Sequence, residues 1–181
     1  LQEVAKINDY PAMLSILNKT ETGPLWVSCL AGDLDGLREA LVRGEDLHEV
    51  DGSYGLSGLM WIVFHEGKES YDQLLDLLLQ QPSIDVNQRN NKGNTALHLA
   101  CVSNRVTAIS MLVSHPNVSI NAKNSSSATP LMMATQEGKL ESVRALLTLA
   151  GVDLQTRDSQ GSSLQEVARW VHQTVVSTYY Y

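Results

Sequence analysis

The stretch that decides the fold is KGNTALHLAC, residues 92–101, because a variant of it returns at a fixed distance along the chain. The variant, SSATPLMMAT, occupies residues 126–135, which is 34 positions later. Upstream, Leu25 and Leu59 lie in similar stretches and are also 34 positions apart, whereas the step from Gly58 to Ala96 is 38. The second unit therefore contains four extra residues, the difference between the two steps. A period of this length indicates a repeat protein, in which each unit buries its apolar face against its neighbours.

The second half of each unit repeats in phase with the first. Apolar stretches recur at residues 38–41, 75–79, 109–113 and 143–147, and short segments with an apolar centre follow at residues 46–48, 85–87, 119–121 and 153–155. The whole order is a Gly-containing turn, a TPLHLA-like opening of a first helix, a second turn, a second helix and a polar tail. This order resembles the ankyrin repeat, and the resemblance covers essentially the whole chain. It implies an all-α solenoid of helix-turn-helix units with short β-hairpin-like finger turns.

The period divides the chain, residues 1–181, into the units of a single ankyrin-repeat domain. Residues 1–20 are interpreted as a degenerate N-terminal cap unit, and the full repeats are residues 21–51, 52–90, 91–124 and 125–158. Residues 159–181 are interpreted as a C-terminal cap that is cut short, because Tyr180 falls where Leu146 lies in the preceding unit. The chain starts at Leu1 without an initiator methionine, which favours a piece of a longer protein.

Local signals predict where the helices begin and end. Thr129 and Pro130 suit a helix start, because a Thr side chain can accept a bond from a free backbone N–H and Pro fits the first helical turn. Gly32, Asn104 and Gly138 are placed to end the first helix of three units, where a left-handed backbone is favoured. Each first helix is therefore expected to be short and bounded on both sides.

The composition excludes several classes of protein. The chain is 43% hydrophobic and 18% charged, which is too apolar for a disordered protein. Its net charge of −7 has the wrong sign for general nucleic-acid binding. The longest uncharged apolar run, residues 59–64, is far shorter than the roughly 18 residues of a membrane span, so membrane insertion is not expected. Two cysteines favour a reducing compartment, which predicts a cytoplasmic or nuclear protein.

No group of residues predicts catalysis, a bound cofactor or a metal site. The histidines are scattered among different units, at His48, His65, His98, His115 and His172. No Gly-rich segment carries the Lys and Ser/Thr of a phosphate-binding loop. Cys29 and Cys101 hold the same place in units one and three, too far apart for a disulfide. The resemblance to ankyrin repeats implies a structural role for His98, with its ring tying adjacent turns together.

The resemblance also implies a non-enzymatic module that binds a protein or peptide partner. Ankyrin repeats are similar in using their finger turns and the exposed side of the first helix for this purpose. Carried onto this chain, the implied partner-binding residues are Leu30, Tyr54, Leu56, Phe64, His65, Arg89, Asn91, Lys92, Asn94, Val102, Lys123, Ser125, Gln136 and Arg157. Trp26 and Trp61 are expected to fill the core instead. Arg89, Lys123 and Arg157 recur at steps of 34, and this row of cations either binds acidic groups of a partner or belongs to the ordinary surface of the repeat.

The binding site is expected on the concave side of units one to three. Residues 21–90 carry thirteen acidic and four basic side chains, a sum of −9, and the apolar anchors Tyr54 and Phe64 lie within this region. Apolar anchors flanked by acid favour a partner segment with apolar residues and some Lys or Arg. The chain itself is expected to be a monomer.

Other functions stay open at this point. The repeats could recruit substrates for a kinase or ubiquitin ligase whose catalytic domain lies elsewhere in a longer protein. They could also be a structural spacer without a large apolar patch. Asn87, and Asn121 in a similar setting, resemble ankyrin asparagines that are hydroxylated, although both also suit a turn-stabilising role.

Overall fold

The computed structural model describes residues 24–65 and 69–169, which form successive helix pairs. The first members of the pairs are α1 (Leu25–Ala31), α3 (Gly58–Phe64), α5 (Ala96–Val102) and α7 (Pro130–Gln136). The second members are α2 (Leu34–Arg43), α4 (Glu69–Leu79), α6 (Val106–Ser114) and α8 (Leu140–Leu147). A further helix begins at residue 164. The predictions for residues 1–20 and for the C-terminal tyrosines lie outside the described residues.

The helices stack in sequence order in two layers. In the inner layer α1 packs on α3, α3 on α5 and α5 on α7, and in the outer layer α2 packs on α4, α4 on α6 and α6 on α8. Within residues 24–65 and 69–169 no strand forms, although isolated antiparallel bridges join Val50 to Ser57 and Arg157 to Ser163 across two finger turns. The predicted all-α solenoid with short finger turns is confirmed.

The helix boundaries follow the expected signals. Thr129 Oγ1 accepts a hydrogen bond from the backbone N–H of Met132 at 3.3 Å, and Pro130 is the first residue of α7. Gly32, Asn104 and Gly138 have φ angles of 72°, 55° and 64°, one or two residues after the ends of α1, α5 and α7. The left-handed backbone at these three positions ends α1, α5 and α7, as predicted, whereas α3 is followed by His65 in an extended conformation.

The core lies where the inner helices meet, and α1 and α3 approach each other closely at Gly58. A Cβ added to Gly58 would lie 2.8 Å from Cys29 Sγ and 2.9 Å from Leu25 Cδ2, so this position at the start of α3 requires glycine. Trp26 and Trp61 are buried, which confirms that both fill the core. Cys29 and Cys101 are free and buried, and burial raises the pKa of both thiols well above its usual range.

Described residues on either side of the insertion in unit two are joined to unit three by a buried cation. Arg105 is 9% exposed, and its guanidinium donates hydrogen bonds to the carbonyls of Ile62 and His65 at the end of α3. The same group pairs with the Asp72 carboxylate on α4 at 2.5 Å. Tyr71 also lies on α4, and its ring stacks on that of His65 with centroids 4.9 Å apart. These contacts fix the end of α3 and therefore the place of Phe64, its last residue.

Candidate partner-binding groove

Four finger turns are built by one recurring hydrogen-bond pattern. Asp51, Asn90, Asn124 and Asp158 each use one side-chain oxygen to accept two backbone N–H groups of their own turn, at 2.8–3.0 Å. Asp and Asn serve equally here, because both present an oxygen acceptor at the same distance from the backbone. Each turn is therefore stabilised by a side chain of its own, independently of the neighbouring turns.

Neighbouring fingers are joined by backbone hydrogen bonds. The N–H of Asn91 donates to the carbonyl of Tyr54 at 3.2 Å, and the N–H of Ser125 donates to the carbonyl of Lys92 at 3.0 Å. The N–H of Ser159 likewise donates to the carbonyl of Ser126 at 2.8 Å. These bonds hold successive fingertips at a fixed spacing along one edge of the stack.

His98 adds a side-chain link between two fingers. Its Nδ1 accepts a hydrogen bond from the backbone N–H of Thr95 at 3.1 Å, so the proton is on Nε2, which donates to the Ala128 carbonyl at 3.1 Å. Burial is the main cause that lowers the pKa of His98, to about 4. The prediction that this ring ties adjacent turns together is confirmed.

A groove of about 720 Å³ lies between the fingers and the inner helices. Its apolar floor includes Phe64 from α3, Leu99 and Val102 from α5, and Met133 from α7, while Tyr54 stands at one end of the finger wall. Of the predicted partner-binding residues, those that line the groove are Tyr54, Leu56, Phe64, Asn91, Lys92, Asn94, Val102, Ser125 and Gln136. Those outside it are Leu30, His65, Arg89, Lys123 and Arg157.

Comparison with known proteins agrees with this architecture. The family model described as ankyrin repeats, in three copies, matches residues 25–124 and, in a second placement, residues 59–158. The chain belongs to the ankyrin-repeat family. The photoreceptor ankyrin repeat protein of Homo sapiens is 33% identical over 92 residues, which is 49% of this chain but 19% of that protein. The chain thus spans a small part of this relative. Ankyrin repeats are in general protein–protein interaction modules.

Leu30 is not the exposed anchor that the ankyrin pattern predicted. It is 2% exposed, and its carbonyl accepts a hydrogen bond from the Tyr71 hydroxyl at 3.2 Å. The Tyr71 ring from α4 thus lies over the end of α1, where a Cβ on Gly32 would lie 3.1 Å from it. Leu56 and Asn94 are also buried, so they shape the groove and offer little surface.

The row of cations at the ankyrin finger bases makes contacts within the chain. Arg89 donates to the Lys123 carbonyl in the next unit at 2.5 Å. Arg157 donates to the Gly161 carbonyl at 2.6 Å and pairs with Glu166 at 3.2 Å. These bonds give Arg89 a structural role between successive units and Arg157 a structural role in its own turn, and both residues lie outside the groove.

Several groove residues were missed by the sequence analysis. Leu99 and Met133 hold the same helical position 34 residues apart, so the period itself could have identified them. Glu137 and Asp158 line the far end of the groove, whereas the lining residues from 21–90 include no acid. The acidic side chains of residues 21–90 therefore do not line the groove, and whether they flank a bound partner stays a prediction. Regional charge sums do not show which side of a helix or turn a residue occupies.

Asn87 and Asn121 bridge successive ankyrin units outside the groove. Asn87 accepts a bond from the Ser119 N–H at 2.8 Å and donates to the Asn117 carbonyl at 2.7 Å. Asn121 makes the equivalent bonds one unit later, at 2.8 Å and 2.7 Å. The turn-stabilising role is thus present, and hydroxylation of Asn87 and Asn121 stays a prediction.

The part of the chain that the structure describes holds no cluster of three or more His, Cys, Asp or Glu side chains suited to a metal ion. In the same described ranges, no helix is long and apolar enough to cross a membrane.

Proposed function

We propose that this chain binds an extended segment of another protein in the groove between its fingers and inner helices. The observation that carries the proposal is the apolar floor, in which Phe64, Val102 and Met133 come from three successive inner helices and remain partly exposed. Tyr54, at the first fingertip, is 38% exposed. Aromatic and apolar side chains inside a polar rim are typical of binding hot spots.

The stiffness of the fingers supports binding to this groove. Each fingertip is held by its own Asp or Asn and by a backbone bond to the next finger. A surface that is already ordered loses little conformational entropy when a partner binds. The groove therefore suits recognition of a flexible segment, whose own ordering is then the main entropic cost.

The partner that fits best is a protein segment with apolar residues and some basic ones, bound by a monomer of this chain. The non-enzymatic reading rests on the family and on a groove built from stacked helices and turns. Recruitment of substrates for a catalytic domain elsewhere in a longer protein would use the same groove, so the same variants test it.

Truncation of the two aromatic side chains tests the proposal. Partner protein is captured from cell extract on the immobilised chain and is then identified. Its affinity for the chain is measured by isothermal titration calorimetry. We expect Tyr54→Ala and Phe64→Ala each to weaken binding about tenfold or more, as hot-spot truncations do. Val42→Ala is the matched control, because Val42 is 89% exposed on α2 in the outer layer. Equal affinity of all four proteins, with unchanged thermal unfolding, would contradict the proposed site.

A further inference from the structure

The groove changes character along its length. Phe64, Val102 and Gln136 hold the same position near the end of successive inner helices. The fingertip position runs in parallel from Tyr54 through Lys92 and Ser126 to Gln160. The groove is thus aromatic at the unit-two end and polar at the unit-four end.

The polar end is also negatively charged. Within residues 24–65 and 69–169, no ion pair or hydrogen bond engages the Glu137 carboxylate, which is exposed directly after α7. Asp158 holds the backbone N–H groups of Gln160 and Ser162 through one carboxylate oxygen, Oδ1. Both residues line the groove.

We propose that the groove binds its partner segment in one direction, with an apolar side chain at Phe64 and Tyr54 and a Lys or Arg side chain at Glu137 and Asp158. The inference rests on the proposed function and adds the polarity of the bound segment. A cation at the far end complements the two carboxylates, and an apolar residue there would bury the Glu137 carboxylate without a partner.

The fold also sets the spacing between the two anchors. Phe64 ends α3 and Glu137 follows α7, so they lie at similar heights on helices separated by α5. Neighbouring helix axes lie about 8–10 Å apart, which places the two side chains roughly 16–20 Å apart. An extended segment advances about 3.3 Å per residue. The basic residue therefore lies about five or six positions from the apolar anchor.

The test uses a displayed library of random peptides of about 12 residues, enough to span the groove when extended. The whole 181-residue chain is the bait, in parallel with the double variant Glu137→Gln/Asp158→Asn. Asp158→Asn keeps the turn acceptor, because Asn90 and Asn124 make the same bonds in their fingers. The control, Asp35→Asn/Glu141→Gln, has the same change in charge on the outer helices α2 and α8.

We expect the unchanged chain and the control to select peptides with an apolar residue and a Lys or Arg five or six positions away. The double variant should select the apolar residue alone. For one selected peptide, fluorescence polarisation should show an affinity loss of about threefold to tenfold in the double variant at about 0.05 M salt, and a smaller loss at about 1 M. Selection of apolar peptides without a spaced cation would overturn this inference and leave the proposed function standing. Selection of no peptide by a folded chain would overturn both.

Discussion

At the scale of single residues, the finger turns use one backbone conformation with different side chains. Gly55, Gly93 and Gly161 have positive φ angles, and Ser127 has a φ of 57° at the equivalent position. A residue with a Cβ is strained by about 1–2 kcal/mol at a positive φ. Glycine avoids this strain but loses more backbone entropy on folding, which offsets part of the gain. We expect Ser127→Gly to raise the free energy of unfolding by about 0.5–1 kcal/mol in urea denaturation. Ser126→Gly, without a positive φ, is the control, and stabilisation by both would contradict the explanation.

His98 should make stability depend on pH. Its pKa is about 4 in the folded chain against 6.5 for a free side chain, so the unfolded chain binds the proton more tightly. The stabilisation from the neutral ring is complete above pH 6.5 and is lost as pH falls from 6.5 to 4. Between these values the free energy of unfolding changes by up to about 1.4 kcal/mol per pH unit, and roughly 3 kcal/mol of stability is lost in all.

The measurement is urea denaturation between pH 7 and pH 4. His98→Gln should remove most of this slope, because Gln does not titrate and can still donate and accept hydrogen bonds. His48→Gln, at an exposed position, should keep it. An unchanged slope in His98→Gln would show that other groups carry the dependence.

At the scale of the helix pairs, the period predicted the helices within each unit. It did not predict the contacts that residues near the insertion in unit two make with neighbouring units. The start of α7 and the ends of α1, α5 and α7 could be predicted because Thr, Pro, Gly and Asn act locally. The contact between Tyr71 and the end of α1 could not be predicted, because it joins residues of two units that are 41 positions apart. The role of Arg105 could not be predicted either, since its partners Ile62, His65 and Asp72 lie 33 to 43 residues earlier.

Removal of the Arg105 side chain should destabilise the stack. Arg105→Ala leaves the carbonyls of Ile62 and His65 and the Asp72 carboxylate without their partner. Breaking such a buried pair costs about 3 kcal/mol, here at the lower end because Asp72 is partly exposed. Chemical denaturation measures the loss. Arg144→Ala breaks the exposed pair with Glu141 and should cost less than about 1 kcal/mol. Similar losses in both variants would contradict a special role for Arg105.

At the scale of the whole molecule, the repeat period predicts the groove better than the charge does. Phe64, Val102 and Gln136 follow from the period, because equivalent positions of stacked units must lie in a row. The regional charge predicted acidic side chains beside the aromatic end of the groove. Acidic residues of that region such as Asp35 and Glu39 lie instead on α2 in the outer layer, where they pair with Arg38 and Arg43. The acids that line the groove, Glu137 and Asp158, come from residues 91–181. That region carries five acidic and seven basic side chains, a sum of +2.

A stack of this kind should lose its order unit by unit, because each pair of helices is stabilised mainly by its nearest neighbours. Gly58→Ala tests this, since the new methyl group would lie 2.8 Å from Cys29 Sγ between α1 and α3. Overpacking of this size costs about 1–2 kcal/mol. Hydrogen exchange followed by mass spectrometry should show faster exchange in α1 and α2, with the protection of α5 to α8 unchanged. Cys29→Ala in the same chain removes the clashing sulfur and should restore part of the loss. Faster exchange spread evenly over α1 to α8 would instead show that the described units unfold as one.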